Sequence, residues 1–376
     1  MASTIMPLMR IAILGTRGVP NHYGGFEQFA EYFCTYLAHK GHEIYVYNSH
    51  NHPYQEKVFN GAHIIHKYDP EHKLGTFGQF IYDFNCIIDS RKRNFDIILQ
   101  LGYTSSSVWF FLLPKKPLII SNMDGLEWKR SKYSAPVRQF LKFAERLAAI
   151  SSDYLVADSI GIQRSLKKRY NKQSVYIPYG AHPFESPEPH ILSTYNVEPY
   201  QYNMIMARFE PENNLDMVLE GVAASGLPTP ILVVGNHTTK YGEYLKEKFK
   251  NYPHIRFMGG IYKIDHLNSL RYFSNIYFHG HSVGGTNPSL LEAMASQALI
   301  AAHNNDFNRG VLQDNAFYFS DSEEVASLLK EVLKKDYTAY VENNFNAIKQ
   351  YFNWDKINGD YLQFFEKCLS ESLSGK

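Results

Sequence analysis

The sequence predicts an α/β protein made of two Rossmann-like, doubly wound parallel sheets, and three observations carry that prediction. Its 376 residues exceed what one ordinary core holds, so two domains are expected. Short apolar runs recur, each closed by Gly, Asn or Ser and followed by an amphipathic stretch, the pattern of strand and helix alternating in a parallel sheet. A proline-rich break, Pro183-Phe-Glu-Ser-Pro-Glu-Pro189, interrupts the rhythm, which then restarts.

Before the break the strands read Arg10–Thr16, Glu43–Asn48, Asp96–Gly102, Leu118–Asn122, Tyr154–Asp158 and Val175–Tyr179. Helices fall between them, notably Gly25–Lys40, closed by Gly41. After the break come Asn203–Ala207, Ile231–Gly235, Ile255–Met258, Ile276–His279 and Leu299–His303. From about Asp336 the chain reads as helix only, rich in aromatic residues. The expected domains are therefore residues 1–185, residues 186–335, and a helical tail, 336–376, packing back toward the first domain.

Composition narrows the function. With 44% hydrophobic residues, 20% charged residues and a net charge of +1, the chain reads as a soluble enzyme, not a disordered or nucleic-acid-coating protein. Cys34, Cys86 and Cys368 are odd in number and widely spaced, which suggests neither disulfides nor a zinc knuckle and fits a reducing cytoplasm. The first residues lack the pattern of a signal peptide. The longest apolar run, Val108 to Leu113, is far short of the roughly 20 residues of a membrane span. There is no Asp-x-Asp and no histidine pair at ligand spacing beyond His279 and His281, so neither a metal nor another cofactor is expected.

Several loops can carry chemistry. Gly15-Thr-Arg-Gly18 follows the first strand, and Tyr23-Gly24-Gly25-Phe-Glu27 opens the long helix, where backbone amides can approach an anion. The dinucleotide fingerprint is absent, and the second strand ends at Asn48 where an acidic ribose ligand is wanted, so NAD binding is not expected. Simple turns remain the alternative for these glycines. In the second half Gly280-His-Ser-Val-Gly284-Gly285-Thr286-Asn287-Pro288 feeds a helix, with Asn287 as N-cap and Pro288 at the first helical position. Its free amides suit a diphosphate, and Glu292, one turn in, suits a ribose hydroxyl or is a solvated helix charge. Arg208 ends a strand beside another helix start, where a forked cation clamps a phosphate or simply faces water. Glu210 and Glu212 follow it, one facing a ligand, or both capping a helix. Asp124 precedes Gly125 at the end of Leu118–Asn122, where a carboxylate orients or deprotonates a hydroxyl or makes a turn. Glu127, Lys129 and Arg130 then read as supports for a ligand or phosphate. Arg138, Lys142 and Arg146 recur at four-residue spacing, a face for anionic lipid or for water.

Four motifs resemble one family. Tyr23-Gly-Gly-Phe-Glu27, Asp124-Gly-Leu-Glu-Trp-Lys-Arg130, Ala207-Arg-Phe-Glu-Pro-Glu-Asn-Asn214 and Gly280 to Ala295 are similar, in this order, to the bacterial rhamnosyltransferase-type branch of retaining glycosyltransferase family 4. The resemblance runs from Arg10 to about Phe365 and implies a GT-B fold, two lobes facing across a cleft, with acceptor on the first and nucleotide sugar on the second. It implies that Gly24 and Gly25 contact the donor diphosphate, that Arg208 neutralises it and that Glu292 holds the ribose. Asp124, Arg208 and Glu210 are the candidate catalytic residues. Donor-binding candidates add Glu212, Asn213, Gly284, Gly285, Thr286 and Asn287, and Glu127, Lys129 and Arg130 are the acceptor candidates. Two departures are informative. Most of the family has a second Glu eight positions before Glu292, where this chain has Gly284, and Asn213 replaces the usual Lys after Arg208. Both belong to the branch pattern and argue against a glucose-like donor; the branch implies deoxythymidine diphosphate rhamnose (dTDP-rhamnose), which lacks a 6-hydroxyl, as donor, and a polyprenyl-diphosphate-linked saccharide acceptor at the inner membrane face. A sugar-nucleotide epimerase of the same fold and a non-catalytic nucleotide-sugar-binding protein are the alternatives.

Overall fold

The computed structural model describes residues 8–22, 24–123, 125–130 and 132–374. The chain forms two compact units: one of residues 1–128, 135–178 and 354–376, the other of 129–134 and 179–353.

In the first unit, β1 (Arg10–Leu14), β2 (Glu43–Ser49), β3 (Val58–Phe59), β4 (Ala62–Lys67), β5 (Ile97–Leu101), β6 (Leu118–Asn122), β7 (Tyr154–Ala157) and β8 (Val175–Tyr176) form one sheet. Their order is β3-β4-β2-β1-β5-β6-β7-β8, parallel except where β3 pairs with β4. The central strands are apolar along their whole length because helices cover both faces: Ile97 to Leu101 is buried throughout. The helix Gly25–His39 buries Phe29, Phe33 and Leu37 at four-residue spacing and stops before Gly41, whose positive φ of 90° ends it.

In the second unit, β9 (Asn203–Met206), β10 (Ile231–Val234), β11 (Ile255–Gly259), β12 (Tyr277–His279), β13 (Ile300–His303) and β14 (Phe317–Phe319) form a wholly parallel sheet ordered β11-β10-β9-β12-β13-β14. Its core gathers Ile205, Val218, Val233, Phe278 and Phe319, all without exposed surface.

The strands β3, β4 and β14 are additions to the sequence reading. β4 carries His63, His66 and Lys67, and β14 has only three residues, so neither shows an apolar run. The tail also divides. The helix Thr338–Tyr351 stays in the second unit, where Asn344 Nδ2 donates to the Asn315 carbonyl at 2.8 Å. Only from Trp354, later than the boundary at residue 336, does the chain lie in the first unit. There the helix Trp354–Ser374 sets Tyr361 against Phe29 and Phe33 (centroids 4.8 and 5.2 Å), and Asn122 Nδ2 donates to the Tyr361 hydroxyl at 2.9 Å.

Phe365 has no exposed surface and meets the rings of Phe33 and Tyr361. Phe365→Ala is therefore expected to destabilise the first unit by about 3–5 kcal/mol. Urea titration checks this, and a loss under about 1 kcal/mol would mean that the last helix is not part of that core.

Candidate active site

In the second sheet the chain leaves β9 toward β10 on one side and later returns to β12 on the other. The loops after β9 and β12 therefore part at the carboxyl edge, the place where open parallel sheets bind ligands. Arg208, exposed, stands directly after β9. The turn Pro211–Asn213 follows, and Asn213 Nδ2 donates back to the Arg208 carbonyl at 2.7 Å. Across the crevice the loop after β12 begins with Gly280, where a Cβ would come within 2.1 Å of the Asn213 carbonyl oxygen, so only glycine fits. Asn214 Nδ2 donates to the Gly280 carbonyl (2.7 Å), and the Ser282 amide and hydroxyl both donate to the Glu212 carbonyl (3.0 and 2.8 Å). The two loops are thus stitched together, and the segment of Gly284, Gly285 and the buried Thr286 runs on to Asn287. As the spacing predicts, Asn287 caps the helix Pro288–Ala295, its Oδ1 accepting from the Ser289 amide at 3.0 Å. At Gly284 an added Cβ would meet nothing within 4 Å.

Glu292 lies half-buried on that helix, held by Arg271 Nη2 at 2.7 Å. Arg271 itself is fully buried, with Nη1 donating to Asn268 Oδ1 at 3.0 Å. His279 and His281 stack with centroids 4.4 Å apart. Burial, with the charges of Arg208 and Arg130 acting in the same direction, lowers His281 to about 3, so its ring is neutral. Among the described residues no cluster of three His, Cys, Asp or Glu side chains is placed to hold a metal ion.

The segment Lys129–Ser134 groups with this unit. Lys132 Nζ lies 3.1 Å from Glu210, and Arg130 Nη1 lies 3.9 Å from the buried Glu212. Burial raises the Glu210 carboxyl, but Lys132 and Arg208 more than offset it and hold it below its ordinary range. Arg130 is thus brought to the Arg208 loop, Lys129 groups with the second unit but is exposed, and Glu127, half-buried, stays with the first unit. Asp124, like Tyr23, lies outside the described residues.

The first unit repeats the topology: its switch lies between β1 and β5. Gly15, with φ 85°, is needed there because a Cβ would meet the Leu101 carbonyl oxygen at 2.2 Å. Gly24 is the extended N-cap of Gly25–His39, and the buried Glu27 turns back to accept from the Arg17 amide at 2.9 Å. A cavity of about 170 Å³ opens beside this turn, lined by Arg17, Glu71, Gln79, Asp83 and Ser105 among others. Arg17 grips Glu71 with two hydrogen bonds, of 3.0 and 2.6 Å. Asp83 is buried and accepts from Ser105 Oγ at 2.6 Å; burial pushes its carboxyl up to about 7.

Residues 196–350 match the family of glycosyl transferases group 1, and residues 8–182 match a domain of unknown function, DUF1972. An uncharacterized glycosyltransferase of Methanocaldococcus jannaschii is 24% identical over 389 residues, covering 93% of this chain and 96% of that protein. The chain is a glycosyltransferase with the GT-B fold. The fold is also that of sucrose-phosphate synthase from Thermosynechococcus elongatus, with a TM-score of 0.77 at 14% identity over 96% of this chain and 100% of that one. Anabaena HepE, solved with UDP and glucose, gives 0.72 at 13% identity, over 95% and 99%.

Three features of this glycosyltransferase escape a sequence reading based on loops. Arg271 sits one turn after Leu267 on the buried face of the helix Ile264–Phe273, and a charge at an apolar phase was the available signal. Arg17 lies inside the glycine turn, but its partner Glu71 is 54 residues away. Asp83 lies on a buried helix face beside Tyr82 and Cys86.

Asp83 gives a pH-dependent prediction. Burial holds its carboxyl at about 7, well above the ordinary 3.8 of an aspartate, so the folded chain binds the extra proton and stability falls as pH rises from about 4 to about 7. Asp83→Asn is expected to melt above the parent at pH 8, with the difference shrinking steadily toward pH 4. A difference independent of pH would show that Asp83 is ionised throughout.

Proposed function

We propose that this glycosyltransferase moves L-rhamnose from dTDP-rhamnose to a polyprenyl-diphosphate-linked saccharide at the cytoplasmic face of the membrane, with retention and without a metal ion. The observation that carries the reading is the stitched crevice of the second unit, where Arg208 stands exposed beside a glycine loop that feeds a helix capped by Asn287. A diphosphate fits such a place by charge and by free amides. HepE has been solved with UDP and with UDP-glucose, which supports a nucleotide sugar as the donor. Glu292, oriented by Arg271, is the ribose acceptor of hydrogen bonds.

In the step itself the bond from the anomeric carbon to the diphosphate oxygen breaks. A bond to the acceptor oxygen forms on the same face, and the departing diphosphate takes the acceptor proton. Charge grows on the leaving group, so Arg208 and the loop amides, already in place, lower the barrier. Arg130, beside Glu212, adds a second cation to that side. Asp124 orients the acceptor hydroxyl. Rhamnose is supported by Gly284, which has no side chain to offer a sugar hydroxyl and where an added Cβ would meet nothing within 4 Å, and by Asn213, whose amide is spent on the Arg208 carbonyl. No helix among the described residues is long and apolar enough to cross a membrane. On the helix Ala135–Ser151, however, exposed Val137, Phe143 and Ile150 accompany Arg138, Lys142 and Arg146, the mixture that settles on anionic lipid.

Arg208→Ala is expected to lower kcat about 100-fold or more, and Glu292→Ala to weaken donor binding more than it lowers kcat, with a loss of stability because Arg271 is left buried without its carboxylate. Activity is expected to persist in excess EDTA. Parent-like turnover by Arg208→Ala, or full loss with EDTA restored by magnesium, overturns the assignment. Phe143→Asp is expected to abolish sedimentation with vesicles containing phosphatidylglycerol while leaving the fold intact; unchanged sedimentation removes the membrane reading.

A further inference from the structure

The second unit holds another cavity, at the edge where its strands begin and so opposite to Arg208. Tyr200 precedes β9, Tyr272 and Asn275 precede β12, and Gln297 precedes β13; with Lys334 and Glu342 they line a space of about 540 Å³. That is the size of a small-molecule site. Lys334 is only 9% exposed, and its ammonium donates to the Tyr272 carbonyl. Its nitrogen lies 5.7 and 5.0 Å from the ring centres of Tyr200 and Tyr272. Burial lowers it to about 7, and although Glu342 lines the same space, among the described residues no carboxylate forms an ion pair with the Lys334 nitrogen to offset that cost. A buried ammonium lacking a counter-charge is costly to keep, and an anion in the cavity would supply what is missing.

The backbone is strained at the same place. Tyr200 and Gln297 both hold left-handed conformations (φ 63° and 54°) without being glycine, at a cost of about 1–3 kcal/mol each. Tyr200, despite its aromatic ring, is left 44% exposed.

We propose that this cavity binds a small sugar anion, a phosphate ester or a carboxylate, with Lys334 pairing the charge and Tyr200 and Tyr272 covering the C–H face of the sugar ring. The site is separate from the donor crevice and is independent of which sugar the enzyme transfers.

Isothermal titration of the full chain with glucose 6-phosphate, with glucuronate and with neutral glucose tests the proposal. At least one of the anions is expected to bind, with glucose failing, and the one that binds identifies phosphate or carboxylate as the natural charge. Lys334→Met, which keeps length and removes charge, is expected to weaken that binding tenfold or more, and Tyr200→Ala severalfold. Arg208→Ala is expected to leave it unchanged. Should Lys334→Met fail to fold, Tyr200→Ala decides, since its side chain lies at the surface. The proposal is overturned if neither anion binds, if glucose binds equally, if the Lys334 and Tyr200 variants bind like the parent, or if Arg208→Ala abolishes binding, which would place the anion in the donor crevice.

Discussion

Every strand pairing except β3 with β4 is parallel, and that constraint organises the molecule. A parallel pair cannot be closed by a tight turn; the chain must cross a face of the sheet, usually as a helix, before it starts the next strand. Within each sheet the carboxyl ends of the parallel strands, and the loops that leave them, thus share one edge. Where the winding reverses, between β1 and β5 and between β9 and β12, neighbouring loops leave in opposite directions and open a crevice. The close approaches at Gly15 and Gly280 are the local result: each sits at a reversal, Gly15 pressed against the last carbonyl of β5 and Gly280 against the Asn213 carbonyl of the loop after β9.

Those crevices need polar side chains, and polar side chains beside an apolar core must be netted. Glu145 shows how this is done in the first unit. It is 1% exposed and is met by Trp128 Nε1 at 2.9 Å, by the Tyr170 hydroxyl at 2.8 Å and by Arg169. Arg271 and Glu292 do the same with fewer partners in the second unit, where Arg271 Nε finds none in the protein. Removing one member of such a pair leaves the other charge buried, at a cost of about 3–5 kcal/mol, so these pairs fix geometry more than they add net stability.

The sequence reading succeeds where a single segment carries the information. Ile97 to Leu101 is a continuous apolar run and can only be a covered strand, and Asn287-Pro288 announces a helix start by its own chemistry. It fails where meaning comes from a partner remote in the chain. β4, with two histidines and a lysine, becomes a strand because β2 and β3 flank it. Asp83 becomes a perturbed acid because burial raises it against the opposing hydrogen bond from Ser105, and Arg271 becomes a positioning group because Glu292, 21 residues on, turns toward it. Likewise Arg130 and Lys132 read as part of the first domain but group with the second, since their carboxylates lie after β9.

The two edges of the second sheet are joined through adjacent residues. Arg271 holds Glu292 toward the carboxyl edge, while Tyr272, next in the chain, turns to the cavity at the opposite edge. Glu292 is likewise followed, past the end of its helix, by Gln297, which lines the same cavity in a strained conformation. Arg271 therefore shares its helix with a cavity residue, and Glu292 is linked to another through the end of its own helix. A closely packed core transmits small displacements along such elements rather than absorbing them. The coupling this geometry allows is reciprocal: whatever free energy an occupant of one edge adds to binding at the other, the second occupant returns to the first. Its size is limited by how differently the Arg271–Glu292 pair is held with the cavity full and with it empty.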